Sequence, residues 1–224
     1  MDEIRIIEIK KSVFAENIQT ADQLRARLKK EGSFLLNVMS SPGSGKTTTL
    51  TKVINLLKGE LKIGCMEADI DSDVDAKTIA EKTGVESIQL HTGGMCHLDA
   101  EMTAQGLDGL QGKHLDLIIL ENVGNLVCPA EFDTGASASM TILSVPEGDD
   151  KPLKYPLMYQ VCDLVVINKI DAISFFDFDM EKVEKNIRFR NPKATIIPIS
   201  AKTGEGVDQL AAWIKKQVKN WKEN

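Results

Sequence analysis

The sequence predicts an α/β fold: a doubly wound, mostly parallel sheet with helices on both faces, preceded by a short N-terminal helical leader. Three observations lead there. Short apolar segments alternate with segments of helical spacing along most of the chain. The apolar segments lack strict polar alternation, as strands covered on both faces do. The first of them runs into "SSPGSGKTTT" (40–49), a Gly/Ser-rich loop that opens a helix.

Residues 1–33 read as the leader and 34–224 as the main domain. In the leader, "TADQ" (20–23) fits a capping box that opens a short helix, and Gly32 ends it. "FLLNVM" (34–39) is the first strand. Leu50, Val53, Ile54 and Leu57 then share one helical face. "KIGCME" (62–67) is the next strand and "DAKTIAEKTG" (75–84) the next helix. "ESIQL" (86–90), "DLIIL" (116–120), "MTILSV" (140–145), "DLVVI" (163–167) and "TIIPI" (195–199) continue the strands. Val207, Leu210, Ala211, Ile214, Val218 and Trp221 form the buried stripe of a terminal helix, with Lys215, Lys216 and Lys219 in water. There is no internal repeat and no low-complexity linker. In sheets of this kind ligands sit beyond the carboxyl ends of the strands, and every motif below falls there.

Composition narrows the function. The 224 residues are 42% hydrophobic and 27% charged, ordinary for a globular domain. Acids exceed Lys plus Arg by 33 to 27, a net charge of −6, which argues against nucleic acid as the main partner. No apolar run approaches the roughly 20 residues that span a bilayer. "MDEIRIIEIKK" lacks the apolar core of a secretory signal. A cytoplasmic protein with reduced cysteines is expected, and metal ligation is favoured over disulfides for cysteines in polar loops.

The phosphate loop departs from G-x-x-x-x-G-K-[ST] at its first position, where Ser40 stands. Gly43, Ser44 and Gly45 bring backbone N–H groups to the phosphates, and the following helix adds its positive end. Lys46 reaches the β- and γ-phosphates, and the Thr47 hydroxyl, with Thr48 beside it, completes the helix start and the Mg²⁺ position. Ser40 predicts only a small adjustment at the strand exit. The base is read by "NKID": Asn168, Lys169 and Asp171. A carboxylate at Asp171 accepts from guanine N1–H and N2–H₂, a donor pair adenine does not offer. The stem of Lys169 lies over the base plane. "SAKTG" (200–204) supports this with Ser200, Ala201 and Lys202, the Ala201 N–H facing guanine O6. GTP or GDP is therefore the expected nucleotide.

"ENVG" ends a strand with Glu121 and Gly124, the first for the Mg²⁺ shell directly or through water, the second for the γ-phosphate. "EADIDSDVDAK" reads as a switch loop, with Asp69 and Asp75 as Mg²⁺-shell or water-orienting groups and Asp71 and Asp73 as solvated carboxylates. Lys46, Thr47, Asp75 and Glu121 form the catalytic set. No arginine lies within the nucleotide motifs, so intrinsic hydrolysis should be slow unless a group arrives in trans. Lys151 or Lys154 of a second subunit could fill that role; ordinary solvated lysines is the alternative.

Cys96 and His97 adjoin in a Gly-containing turn, and Cys128 precedes Pro129 seven residues past Glu121. Thiolates with imidazole suit Zn²⁺, Ni²⁺ or Cu rather than Mg²⁺. Three ligands leave a four-coordinate site open, to be closed by water or by dimerisation about a two-fold axis. Cys65 and Cys162 read as core residues, and His91 and His114 as surface groups or as groups that back up a ligand without touching the metal.

Together "PGSGKTTT", "EADIDSDVDA", "TGGMCHLDAE", "ENVGNLVCPAEFDTG", "EGDDKPLKYP" and "NKID" resemble HypB, the GTPase family of nickel-iron hydrogenase maturation, a sister of the urease accessory GTPase UreG. The resemblance covers roughly residues 30–224. It implies a cytosolic GTPase that forms a homodimer with nucleotide and delivers nickel to the hydrogenase large subunit, with a HypA-type nickel/zinc protein as partner. It also implies Cys96, His97 and Cys128 as Ni²⁺ or Zn²⁺ ligands near the dimer interface. The chain departs from the pattern at Ser40 and His91, and residues 1–33 hold neither the cysteine-rich motif nor the histidine-rich tract of some members, so nickel storage is not expected. Two other readings stay open: a GTPase chaperone for another metallocofactor enzyme, and a zinc-binding, GTP-dependent interaction switch with little turnover.

Overall fold

The computed structural model describes residues 9–69, 74–111 and 114–223, so Asp71 and Asp73 lie outside the described residues. Its seven strands are β1 (Phe34–Ser40), β2 (Ile63–Asp69), β3 (Glu86–His91), β4 (Leu117–Glu121), β5 (Ala138–Ser144), β6 (Leu164–Asn168) and β7 (Thr195–Pro198). All pair in parallel, in the order β3-β2-β4-β1-β5-β6-β7. The seven expected strands are all present, with bounds shifted by two residues at most.

The helices are α1 (Ile9–Glu31), α2 (Lys46–Leu57), α3 (Val74–Thr83), α4 (Ala100–Gly109), α5 (Cys128–Glu131), α6 (Lys151–Lys154), α7 (Pro156–Gln160), α8 (Met180–Arg190) and α9 (Val207–Glu223). Successive β4 residues belong to opposite layers. Leu117 and Ile119 join the cluster under α2 and α9, while Ile118 and Leu120 join the one under α1 and α4. A third cluster, with Leu143, Val165 and Ile167, lies beneath α7 and α8. This two-sided burial is why the strands read as continuous apolar runs. The buried stripe of α9 is Val207, Leu210, Ala211, Ile214 and Val218, as expected, and Trp221 meets Phe34 edge-on at 6.0 Å.

The leader differs from expectation. "TADQ" opens no helix, because α1 is already helical from Ile9. Thr20 sits inside it and donates to the Glu16 carbonyl one turn back (3.0 Å). Ala21, Leu24 and Leu28 are buried against the sheet layer, and that packing decides the helix over the local cap signal. Gly32 does end it, at φ +70°, and the Ser33 N–H returns to the Leu28 carbonyl (3.0 Å).

The chain reverses its direction of winding at β1 and β4, so the loops leaving these adjacent strands open the crevice in which such sheets bind ligands.

Candidate nucleotide and metal sites

A cleft of about 680 Å³ opens at the carboxyl ends of β1, β2 and β4. The phosphate-loop residues Gly43, Gly45, Lys46, Thr47 and Thr48 line one side. Asp69, Asp75, Glu121 and Gly124 line the other, with Lys169 at its end. The sheet imposes this grouping, because Glu121 is the register partner of Val38 on one side and of Glu67 on the other.

The loop is braced from beneath. Ser44 is fully buried, and its hydroxyl donates to Ser40 Oγ (2.7 Å). Ser40 Oγ donates in turn to the Ser41 carbonyl (2.8 Å) and receives Lys46 Nζ (3.0 Å). Ser40 therefore does more than fill a glycine position: it holds the Lys46 ammonium over the cleft floor. Ser41 Oγ donates to Glu147, whose other oxygen receives the Ser144 N–H and hydroxyl at 2.8 Å each, so the loop is also tied to the exit of β5.

Glu121 is buried, with Oε1 3.8 Å from Lys46 Nζ. Among the described residues its Oε2 has no hydrogen-bond partner that donates from nitrogen, and the Glu67 carboxyl interacts with this side chain. Burial raises the Glu67 carboxyl well above the usual carboxylate range, and the charge of Glu121 adds to it. Burial raises Glu121 as well, while hydrogen bonding to Glu67 and the charge of Lys46 hold it down. The two carboxyls titrate as a pair, and burial moves both above the usual carboxylate range. The Cys65 thiol donates to Glu67 Oε1 (3.2 Å), and burial pushes that thiol well up. Glu67 was not singled out by the sequence reading, although an acidic residue inside a buried strand is a usable signal. The Thr47 hydroxyl donates to Asp75 (2.9 Å), and these oxygens, with Asp69 and Glu121, form a set suited to a hard cation such as Mg²⁺.

The residues expected to read the base stand beside the phosphate loop. Asn168 Nδ2 donates to the Ser44 carbonyl (2.9 Å), and Oδ1 receives the N–H groups of Lys169 (2.7 Å) and Ala201 (3.0 Å). The Ala201 N–H, expected to face guanine, is thus directed at Asn168. A Cβ on Gly45, where φ is +95°, would stand 2.5 Å from Asn168 Nδ2, so the close approach needs glycine. Lys169 adopts the left-handed region at φ +65°, rare for such a residue, and its Nζ reaches the Gly43 carbonyl (2.7 Å). Ser200 Oγ donates to Asp171 Oδ1 (2.6 Å), which orients the exposed Asp171 carboxylate. Lys202 is exposed. A Cβ on Gly124 would stand 3.1 Å from Pro42 Cγ, so the loop after β4 rides closely on the phosphate loop.

The thiol–imidazole trio comes together as expected. One donor atom from each of Cys96, His97 and Cys128 lies within 4.8 Å of the others, all half-buried. Burial lowers the His97 imidazole below its ordinary value, the direction that favours a free ring lone pair. Hydrogen bonding to Cys96, then burial, raises the Cys128 thiol. Two thiols and an imidazole form a soft donor set that fits Zn²⁺ or Ni²⁺ and not Mg²⁺. The Phe132 ring stacks on His97 at 3.8 Å and 15°, a contact the motif reading did not pick out. Cys65 and Cys162 are buried in the core, as expected. Lys151 and Lys154 do not line the cleft of their own chain; Lys154 pairs with Asp150 (2.6 Å) and Lys151 lies over the Tyr155 ring at 5.3 Å. Among the described residues no helix is long and apolar enough to cross a membrane.

The model of the CobW/HypB/UreG nucleotide-binding domain matches residues 34–198. The chain is 44% identical over 217 residues to the hydrogenase maturation factor HypB of Azotobacter chroococcum mcd 1, covering 97% of this chain and 71% of that protein. It is 38% identical to the probable hydrogenase maturation factor HypB of Methanocaldococcus jannaschii, covering 98% and 99%. A crystal structure of HypB from Helicobacter pylori in complex with nickel superposes with a TM-score of 0.86 at 37% identity, covering 92% of this chain and 97% of that one. The domain match and the near-full-length identities agree with the cleft and the cysteine–histidine cluster: the chain belongs to the HypB family of hydrogenase maturation factors.

Proposed function

We propose that the chain is a Mg²⁺-dependent GTPase that couples its nucleotide state to the holding and release of nickel, or of zinc, during nickel insertion into a nickel-iron hydrogenase. The observation that carries this reading is the path of the chain after β4. Glu121 and Gly124 line the nucleotide cleft, and Cys128 joins the thiol cluster four residues further on. A shift that accommodates the γ-phosphate at Gly124 must be transmitted toward Cys128.

In this reading Gly43, Ser44, Gly45, Lys46, Thr47 and Thr48 cradle the phosphates, and Lys46 offsets charge on the β–γ bridge. Mg²⁺, held by Thr47, Asp69 and Glu121, would neutralise phosphate oxygens as charge develops on them. Asp75 orients Thr47 and the attacking water. Water adds to the γ-phosphorus as the bond to the β–γ oxygen breaks, giving GDP and phosphate. Asp171 selects guanine, braced by Ser200, while Asn168, Lys169, Ala201 and Lys202 shape the base pocket. A second copy of the chain closes the thiol site and brings Lys151 or Lys154 to the phosphates. The homodimer works in the cytoplasm with a HypA-type partner and the hydrogenase large subunit.

The test is a Ni²⁺ titration of the wild type and Cys96→Ala, each with GDP and with a non-hydrolysable GTP analogue, while molecular mass is followed. A nucleotide-dependent change in Ni²⁺ affinity and mass is expected in the wild type and is lost in Cys96→Ala. Equal Ni²⁺ affinity and equal mass in both nucleotide states overturn the coupling. GTP turnover that vanishes in Lys46→Ala tests the hydrolase; no turnover in the wild type favours a binding switch.

A further inference from the structure

The two loops that supply the thiol–imidazole trio belong to different crossovers, and one side chain from a third element joins them. Asn17, on α1, is buried. Its Oδ1 receives the Ala100 N–H (2.9 Å), three residues past His97. Its Nδ2 donates to the Asp133 carbonyl (3.0 Å), next to the Phe132 ring that stacks on His97. The Ala100 N–H belongs to the first turn of α4 and has no partner within its own helix. Asn17 supplies that partner and uses the other end of the same amide to hold the Cys128 loop. Eight residues along α1, Arg25 grips the Asp133 carboxylate with both oxygens at 2.8 Å and donates to the Ala136 carbonyl (3.1 Å). α1 thus holds the Cys128 loop at two points and the Cys96–His97 loop at one.

We propose that Asn17 is a positioning residue for the metal site: its amide sets the separation of the two donor loops, so metal occupancy and the docking of α1 are coupled. The proposal rests on the reading that Cys96, His97 and Cys128 bind a transition metal. Groups that orient metal ligands without touching the ion change affinity by roughly 10–100-fold when removed. A planar amide suits this task, because it places one acceptor and one donor at a fixed spacing. Asp at this position keeps the acceptor for Ala100 and loses the donor to Asp133, setting a carboxylate oxygen against a carbonyl. By reciprocity, a helix that favours the binding geometry is itself held more firmly once metal is bound.

The experiment uses the full chain and Co²⁺ as the probe, since thiolate-to-cobalt absorption reports sulfur ligation and the visible bands report coordination geometry. Wild type, Asn17→Ala, Asn17→Asp and Cys96→Ser are titrated, with GDP binding and melting temperature as folding controls. Hydrogen exchange of the α1 amides is followed with and without Zn²⁺. Asn17→Ala is expected to bind Co²⁺ roughly 10–100-fold more weakly with altered visible bands, while keeping wild-type GDP affinity. Asn17→Asp, which opposes a carboxylate oxygen to the Asp133 carbonyl, should bind at least as weakly as Asn17→Ala, and Zn²⁺ should slow exchange along α1 in the wild type alone. Asn17→Ala and Asn17→Asp variants with wild-type spectra and affinity, or α1 exchange indifferent to Zn²⁺ in a metal-binding wild type, overturn the positioning role. Absent sulfur ligation in the wild type, or unchanged ligation in Cys96→Ser, instead removes the metal reading beneath it.

Discussion

Asn168 Nδ2 lies 2.9 Å from the Ser44 carbonyl, so the loop after β6 and the glycine-rich loop after β1 are joined by one side chain. Its Oδ1 also receives the N–H groups of Lys169 and Ala201. Asn168→Ala leaves these three buried or part-buried groups to find other partners. At about 1–3 kcal/mol for each stranded group, partly recovered by water, a net loss of about 3 kcal/mol in the binding-competent arrangement is expected. Guanine nucleotide affinity should fall on the order of a hundredfold, measured with a fluorescent GDP analogue. An unchanged affinity would mean that the two loops hold their places without this bridge.

Ser40→Gly restores the usual first residue of the phosphate loop, yet it should weaken the free protein. The substitution removes the acceptor for both Ser44 Oγ and Lys46 Nζ. A loss of about 1 kcal/mol is expected, a drop of roughly 2–4 °C in melting temperature for a chain of this size. Bound phosphates give Lys46 another partner, so the gap to wild type should narrow in saturating GDP and Mg²⁺. A gap of the same size with and without GDP would show that Ser40 does not act through Lys46.

How much of this was legible in the sequence depends on how local each signal is. The inner strands could be read because burial on both faces makes them near-continuous apolar runs, while the edge strand β3 is only partly buried; the phosphate and base motifs could be read because each is contiguous. Helix α8 carries no such signal, since only Val183 and Ile187 are buried along its eleven residues and its stripe is too narrow to stand out. The start of α1 does not follow its local signal, because a cap at Thr20 is weaker than the packing of Ala21, Leu24 and Leu28. Glu67 shows in the sequence only as an acid inside a buried strand, its pairing with Glu121 coming from the strand register, and Asn17 meets its partner in a loop 116 residues away. Such pairings carry no signature in a single chain.

Asp116 offers a pH-dependent check on how α9 closes the fold. Burial alone would raise this carboxyl, but hydrogen bonds from Lys222 and from the Lys62 N–H outweigh it and hold it below the usual carboxylate range. A carboxylate held low in the folded state binds fewer protons there than in the unfolded chain. Its contribution to stability is therefore complete above about pH 4, the unfolded value, and is lost as the pH falls through the folded one. Asp116→Asn should lower the melting temperature at pH 7, and the difference from wild type should shrink below pH 4. A difference that is constant between pH 7 and pH 3 would assign the effect to packing and not to charge.

The four thiols separate by position, which gives a direct test of the metal cluster. Cys65 and Cys162 are buried in the core, while Cys96 and Cys128 are half-buried beside His97. A disulfide-exchange reagent should modify two thiols in the folded protein and all four only after denaturation, because the attacking sulfur must reach solvent. Zn²⁺ held by Cys96, His97 and Cys128 should protect the first two and raise the melting temperature as its concentration passes the dissociation constant. A hundredfold excess over that constant corresponds to about 2.7 kcal/mol, or roughly 5–11 °C for this chain length. Cys128→Ser should remove both the protection of Cys96 and the thermal shift, whereas Cys162→Ser should leave both in place. If Cys128→Ser retains the thermal shift, or Zn²⁺ leaves the reactive thiols exposed in the wild type, the cluster is not where the metal is held.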